Sequence, residues 1–208
     1  MELKRAISID QITKMRFTTM NFEGEWADHV GIEVEKNGSW IIYGESGHGK
    51  TSYSLKLAKY MTRFGRVAYN TLEEGARLSF QKAIKRQKFS TLERRRITIL
   101  NEDLDHLIER LKKQKSPDII IIDSLQFIGI TKKQYNQLIK RFPSKTFIWI
   151  SHAEGKKPLG SLAVYVEYHA DVKIRVEGFK AIIKSRYGGG EDYIIDQAKS
   201  AEYWNELT

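Results

Sequence analysis

Cysteine is absent from the 208 residues. That excludes a disulfide framework, a cysteine-ligated zinc and an iron–sulfur centre. Proline occurs only 3 times and no low-complexity run is present, which argues against a disordered tail or a chain built from linkers. Long apolar stretches are missing too: the longest purely aliphatic run, Ile119–Ile122, is far too short to span a bilayer. The opening segment MELKRAISIDQITKMRF mixes acids with bases and lacks the apolar core of a signal peptide. These absences lead to the expectation of a soluble, cytoplasmic protein with no membrane partner.

What remains is an ordinary globular composition, 41% hydrophobic and 29% charged, with a mean hydropathy of −0.47. Thirty-five Lys plus Arg against 26 Asp plus Glu give a net charge of +9, which suits a polyanionic partner such as nucleic acid. The charge is unevenly placed. Residues 82–96 hold seven bases against the single acid Glu93, and residues 132–145 hold five bases and no acid. Residues 191–208 instead carry five acids and one base. Each basic cluster also reads as a solvated helix face.

Apolar periodicity alternates between strand and helix. Ser39–Tyr43 reads as a buried strand, Gly44–Gly49 as a loop, and Lys50–Phe64 as a helix with Gly65 as its C-terminal cap. Val67–Asn70, Ile97–Leu100, Ile119–Asp123 and Phe147–Ser151 follow as strands. Helical patterns separate them at Gly75–Gln87, at Leu104–Leu111 and after the capping box Thr131-x-x-Gln134. From Asp171 the spacing changes to short alternating strands at Val172–Val176, Lys180–Ser185 and Tyr193–Ile195. Repeated βα units imply an α/β fold with a mostly parallel central sheet, helices on both faces and antiparallel C-terminal strands. Residues 1–38 read as an N-terminal lead-in or docking arm anchored by Phe17, Phe22 and Trp26, and 39–208 as the main domain.

Gly44-Glu45-Ser46-Gly47-His48-Gly49-Lys50-Thr51 matches G-x-x-x-x-G-K-[ST] without a mismatch. A loop of backbone N–H groups must wrap a polyphosphate closely, and glycines remove the side chains that would block it. The helix that follows points its positive end at the same anion. The stretch from Gly44 through Ser52 is therefore the candidate ATP site, with Lys50 on the β and γ phosphates and Thr51 on Mg²⁺. Asp123 ends the apolar strand in Asp118-Ile-Ile-Ile-Ile-Asp123, where an acid faces the ligand crevice of an open α/β sheet and can hold Mg²⁺. Glu73 and Glu74 follow a neighbouring strand, and either could activate water. Spacing alone leaves that choice open.

The order of these segments resembles the RecA-like P-loop ATPase core shared by recombinases, hexameric replicative helicases and the RadA/Sms repair ATPases. The residues that carry it are GESGHGKT at 44–51, VAYNTLEE at 67–74, DIIIIDSLQ at 118–126, WISHAEG at 149–155 and KSRYGG at 184–189. The resemblance implies the RecA-like P-loop NTPase fold, ATP and Mg²⁺ as cofactors, and Mg²⁺-dependent ATP hydrolysis. It favours Glu73 over Glu74, places His152 where the family senses the γ-phosphate, and makes Lys184 and Arg186 the pair that reaches a neighbouring subunit's nucleotide. A homo-oligomer, with a hexamer among its forms, and action on DNA in recombination, repair or replication are implied with it. Lys156 and Lys157 fall where relatives place loops facing nucleic acid. A protein-assembly switch that touches no nucleic acid is the alternative. A P-loop kinase is a third reading, disfavoured because Arg94-Arg95-Arg96 immediately precedes a strand and makes a poor mobile lid.

Overall fold

A computed structural model of the chain describes residues 6–205; the first five residues of the expected lead-in, and 206–208 of the main domain, lie outside that range. The chain enters through α1 (Ile9–Thr13), β1 (Thr19–Asn21), α2 (Glu25–Val30) and β2 (Glu33–Glu35). Alternating units follow: β3 (Gly38–Gly44), α3 (Lys50–Met61), β4 (Val67–Thr71), α4 (Leu78–Arg86), α5 (Thr91–Arg96), β5 (Ile97–Leu100), α6 (Leu104–Lys112) and β6 (Ile119–Asp123). Next come α7 (Leu125–Ile128), α8 (Lys132–Arg141), β7 (Thr146–Glu154), β8 (Lys157–Pro158) and α9 (Ser161–His169). The chain closes with β9 (Val172–Glu177), β10 (Lys180–Ser185), β11 (Tyr193–Ile194) and α10 (Gln197–Asn205).

The main sheet has the order β11-β10-β9-β3-β7-β6-β4-β5, with β8 paired to β7 off that path. From β9 to β5 every neighbouring pair is parallel, while β10 and β11 run antiparallel at one edge. This is the mixed α/β architecture expected from the alternation of elements. Strand side chains alternate between two cores. Trp40, Ile42, Ile119, Ile121, Ile148 and Ile150 pack with Tyr53, Leu57 and Met61 of α3 on one face. Ile41, Ile120, Ile122, Phe147 and Trp149 pack with Leu107 of α6, Leu138 of α8 and Val166 of α9 on the other. A sheet covered on both faces requires the near-continuous apolar strands the sequence contains.

Three local readings are corrected. Phe22 and Trp26 are buried in the first core, but Phe17 is 57% exposed and anchors nothing. The helix expected to reach Phe64 ends at Met61. Gly65 is not in the left-handed region; its lack of a side chain serves instead to admit Asp118, since a Cβ there would stand 2.6 Å from Asp118 Oδ2. That oxygen accepts the Arg66 N–H at 2.9 Å and ties β4 to the entry of β6.

Candidate nucleotide site

Parallel pairing aligns the carboxyl ends of four strands. Gly44 of β3 stands opposite His152 of β7, and Thr71 of β4 stands opposite Asp123 of β6. The loops leaving those strands therefore open on one crevice. The loop after β3 takes positive φ at Gly47 (+86°) and Gly49 (+100°), angles that side chains rarely adopt. Gly49 directly precedes α3, whose first-turn N–H groups have no partner within the helix and face the loop.

A cleft of about 350 Å³ collects Gly47, Lys50, Thr51, Glu73, Asp123 and His152. Ser46, Gly49, Ser52 and Glu74 also line it. Most of the residues expected at the site are thus brought together. Gly44, Glu45 and His48 belong to the same segment but do not line the cleft. A Glu45 oxygen accepts the Gly155 N–H at 3.1 Å, and His48 Nδ1 accepts the Gly178 N–H at 3.2 Å. The His48 ring also meets Tyr203 edge-on. These contacts brace the loop against the β7–β8 turn, the β9–β10 turn and α10.

Lys50 Nζ donates to the Glu45 carbonyl at 2.8 Å, folding the ammonium back over the loop. Burial lowers its pKa, opposed by the charges of Asp123, Glu73 and Glu45. Asp123 is only 7% exposed. Burial pushes its carboxyl up to about 6, helped by the negative charges of Glu73 and Glu74 and opposed by a hydrogen bond from Tyr69 and by Lys50. The Tyr69 hydroxyl donates to Asp123 Oδ2 at 3.1 Å and lies 2.8 Å from Ser54 Oγ of α3. His152 Nε2 lies 3.1 Å from Glu73 Oε2. The backbone N–H groups of Leu72 and Glu73 both donate to the Asp123 carbonyl, at 2.7 and 3.3 Å, which fixes the turn carrying the two glutamates. The crevice thus sets the Asp123 carboxylate and the Thr51 hydroxyl, hard oxygen donors of the kind Mg²⁺ takes, beside Lys50 and the backbone N–H groups of the loop. The residues present fit both a divalent cation and a polyphosphate.

Some lining residues lie outside every sequence motif. Arg86 of α4 and Lys199 of α10 enter the cleft, with Phe179 beside them; Lys199 Nζ is 4.9 Å from the centre of the Phe179 ring. Lys199 is the single base of the acidic stretch 191–208, and that isolation was the available signal. Gln126 spans the neighbouring loops, donating to Ser151 Oγ at 2.8 Å and to the Leu159 carbonyl at 3.0 Å. Lys184 and Arg186 do not line the cleft. Lys184 pairs in register with Lys173, and Arg186 follows toward the amino-terminal end of β9, where Nη1 meets Asp171 Oδ1 at 3.1 Å. Lys156 and Lys157 are exposed at the β7–β8 turn.

Sheet order, two helical layers and a glycine loop leading into α3 define a RecA-like P-loop fold. Solved structures that share it include the following two. A KaiC-like protein from the hyperthermophilic archaeon Pyrococcus horikoshii OT3 has a TM-score of 0.62 at 17% identity, covering 86% of this chain and 94% of its own. The flagellar accessory protein FlaH from Methanocaldococcus jannaschii also has a TM-score of 0.62 at 17% identity, covering 84% and 91%. No family model matches the sequence, and no curated protein does. Among the described residues no helix is long and apolar enough to cross a membrane.

Proposed function

We propose that this chain binds ATP with Mg²⁺ and hydrolyses it as a homo-oligomer acting on DNA. The observation that supports hydrolysis is the convergence of Lys50, Thr51, Asp123, Glu73 and His152 on one cleft. The loop N–H groups and Lys50 hold the β and γ phosphates, and Thr51 and Asp123 would hold Mg²⁺. When bound, the ion neutralises charge on the phosphate oxygens. Glu73 accepts a proton from water as the water oxygen bonds to the γ-phosphorus. The bond from that phosphorus to the β–γ bridging oxygen breaks, releasing ADP and phosphate. His152, 3.1 Å from the Glu73 carboxylate, orients this base and senses the γ-phosphate.

Lys184 and Arg186 stand apart from their own cleft, so a nucleotide they touch belongs to a neighbouring copy. An arginine supplied in this way is worth roughly 10³–10⁵ in rate. Mixing two inactive variants tests it. Lys50→Ala and Arg186→Ala should each be nearly inactive alone, and a 1:1 mixture should recover about a quarter of wild-type turnover. That fraction is the share of interfaces pairing an intact Lys50 with an intact Arg186 in a closed homo-oligomer. No recovery on mixing would remove the trans role.

The net charge of +9 and the clusters at 82–96 and 132–145 support DNA as the partner. A second reading, a nucleotide-driven protein-assembly switch, draws on the structural likeness to a flagellar accessory protein. Salt dependence separates the two: binding to single-stranded DNA should weaken with salt by about 0.7 in log–log slope for each phosphate neutralised.

A further inference from the structure

A second concave site lies at the opposite end of the sheet from the nucleotide cleft. Its volume is about 210 Å³, and Arg66, Arg95, Arg96, Arg110, Lys113 and Lys115 line it. Among the described residues no acidic side chain does so. The sheet register brings these cations together. Val67 pairs with Ile97 across β4 and β5, so Arg66 and Arg96, each one residue earlier, enter adjacent strands about 4.8 Å apart. The connection from α6 to β6 folds over them with Lys115 at a φ of +59°.

The guanidinium groups of Arg66 and Arg96 are steered by neutral carbonyl oxygens. Arg96 donates to the Thr62 carbonyl at 2.8 Å and Arg66 to the Ser116 carbonyl at 3.4 Å. Nearby acids are engaged elsewhere: Glu102 binds Arg110, and Asp118 accepts the Arg66 backbone N–H. The Arg95 and Lys115 side chains have no hydrogen-bond or ion-pair partner among the described residues. Like charges gathered in a cleft repel one another and focus a positive potential there. An anion entering the cleft relieves that repulsion.

We propose that this cleft, built at the amino-terminal entries of β4, β5 and β6, binds the phosphate backbone of a nucleic-acid strand. Arginine forks match phosphate oxygens two at a time. The cations outnumber the charges of a single phosphate group, which favours a run of phosphodiesters over one free ion. Only Arg110 among them has an acid partner. The site rests on and deepens the DNA reading above, and it assigns Arg95 and Arg96 a task that the nucleotide cleft does not. Lying at the other end of the strands, it can be altered without touching Lys50, Asp123 or Glu73.

The test uses the full chain, fluorescence anisotropy of a labelled oligothymidine, and a salt series from 50 to 200 mM. The Arg95→Ala/Lys115→Ala double variant should bind at least about tenfold more weakly at low salt. Its log–log salt slope should be shallower by about 1.4, two contacts at about 0.7 each on a single strand. Its melting curve and its binding of a fluorescent ATP analogue with Mg²⁺ should match wild type. Equal oligonucleotide affinity in the double variant and wild type would overturn the site while leaving the DNA reading standing. So would a loss confined to a Lys156→Ala/Lys157→Ala control. A wild-type protein that ignores the oligonucleotide at 50 mM salt would overturn both. Binding of inorganic tripolyphosphate without the oligonucleotide would likewise overturn the strand assignment.

Discussion

Replacing Asp123 with asparagine should stabilise the nucleotide-free protein while destroying the Mg²⁺ site proposed above. The side chain is 7% exposed, and its pKa rises from 3.8 to about 6, chiefly through burial. Holding the carboxylate ionised in the folded state at pH 7.5 therefore costs about 3 kcal/mol, at about 1.4 kcal/mol per pKa unit. A carboxyl whose folded pKa lies above its unfolded one binds its proton more tightly when folded. The cost is thus absent below about pH 4, grows between pH 4 and 6, and is complete above pH 6. Asparagine mimics the protonated acid and keeps an oxygen for the Tyr69 hydroxyl. Its amide N–H₂, facing carboxylates and a lysine, gives back about 1 kcal/mol through imperfect pairing. The net gain of about 2 kcal/mol raises the melting temperature by roughly 4–8 °C for a domain of this size. Thermal unfolding of Asp123→Asn and wild type, without nucleotide at pH 7.5 and 4.5, measures it. The advantage should shrink to about zero at pH 4.5. Mg²⁺ with ATP should raise the melting temperature of wild type well above that of Asp123→Asn, since ligand at about 100 times its Kd adds about 2.7 kcal/mol. A variant that melts below wild type at pH 7.5, or a difference unchanged by pH, would refute the reasoning.

Other outcomes follow from the same geometry. Glu73→Gln should lower turnover by roughly 10²–10⁴ while ATP binding persists; Glu74→Gln, whose parent carboxylate lacks the His152 contact, should lose less, as single-turnover phosphate release would show. Gly65→Ala drives a Cβ to 2.6–2.8 Å from Asp118 atoms and should cost about 1–3 kcal/mol in urea unfolding, with ATP affinity unchanged. Lys50→Ala should abolish retention of a fluorescent ATP analogue at concentrations that saturate wild type.

The α/β fold was legible because its strands are unusually plain. Ile119–Ile122 has no polar residue to confuse the period, and the capping box at Thr131 and Gln134 is realised atom for atom. The glycine loop was legible because its mechanism dictates its residues. What escaped was of two kinds. Short helices such as α5 and α7 leave no long period, and α5 has no buried residue at all. Residues brought in from distant segments, such as Arg86 of α4 and Lys199 of α10, follow no spacing rule, because tertiary packing and not sequence separation places them, and the hydrogen bonds of Tyr69 to Asp123 and of Gln126 to Ser151 cannot be read from the motifs that contain them. Phe17 was misread since an aromatic side chain alone does not say what covers it. The basic run at 94–96 was visible as charge, but its neighbours Arg66 and Lys115 follow only from the pairing of β4 with β5 and from the α6–β6 connection folded beside them.

Steady-state phosphate release with ATP and Mg²⁺, measured across a range of protein concentrations, tests the central claim most directly. Turnover above the Lys50→Ala blank, lost on chelation of Mg²⁺ and rising more than linearly with protein, is the predicted result. Phosphate release no greater than that of Lys50→Ala at every concentration would contradict it.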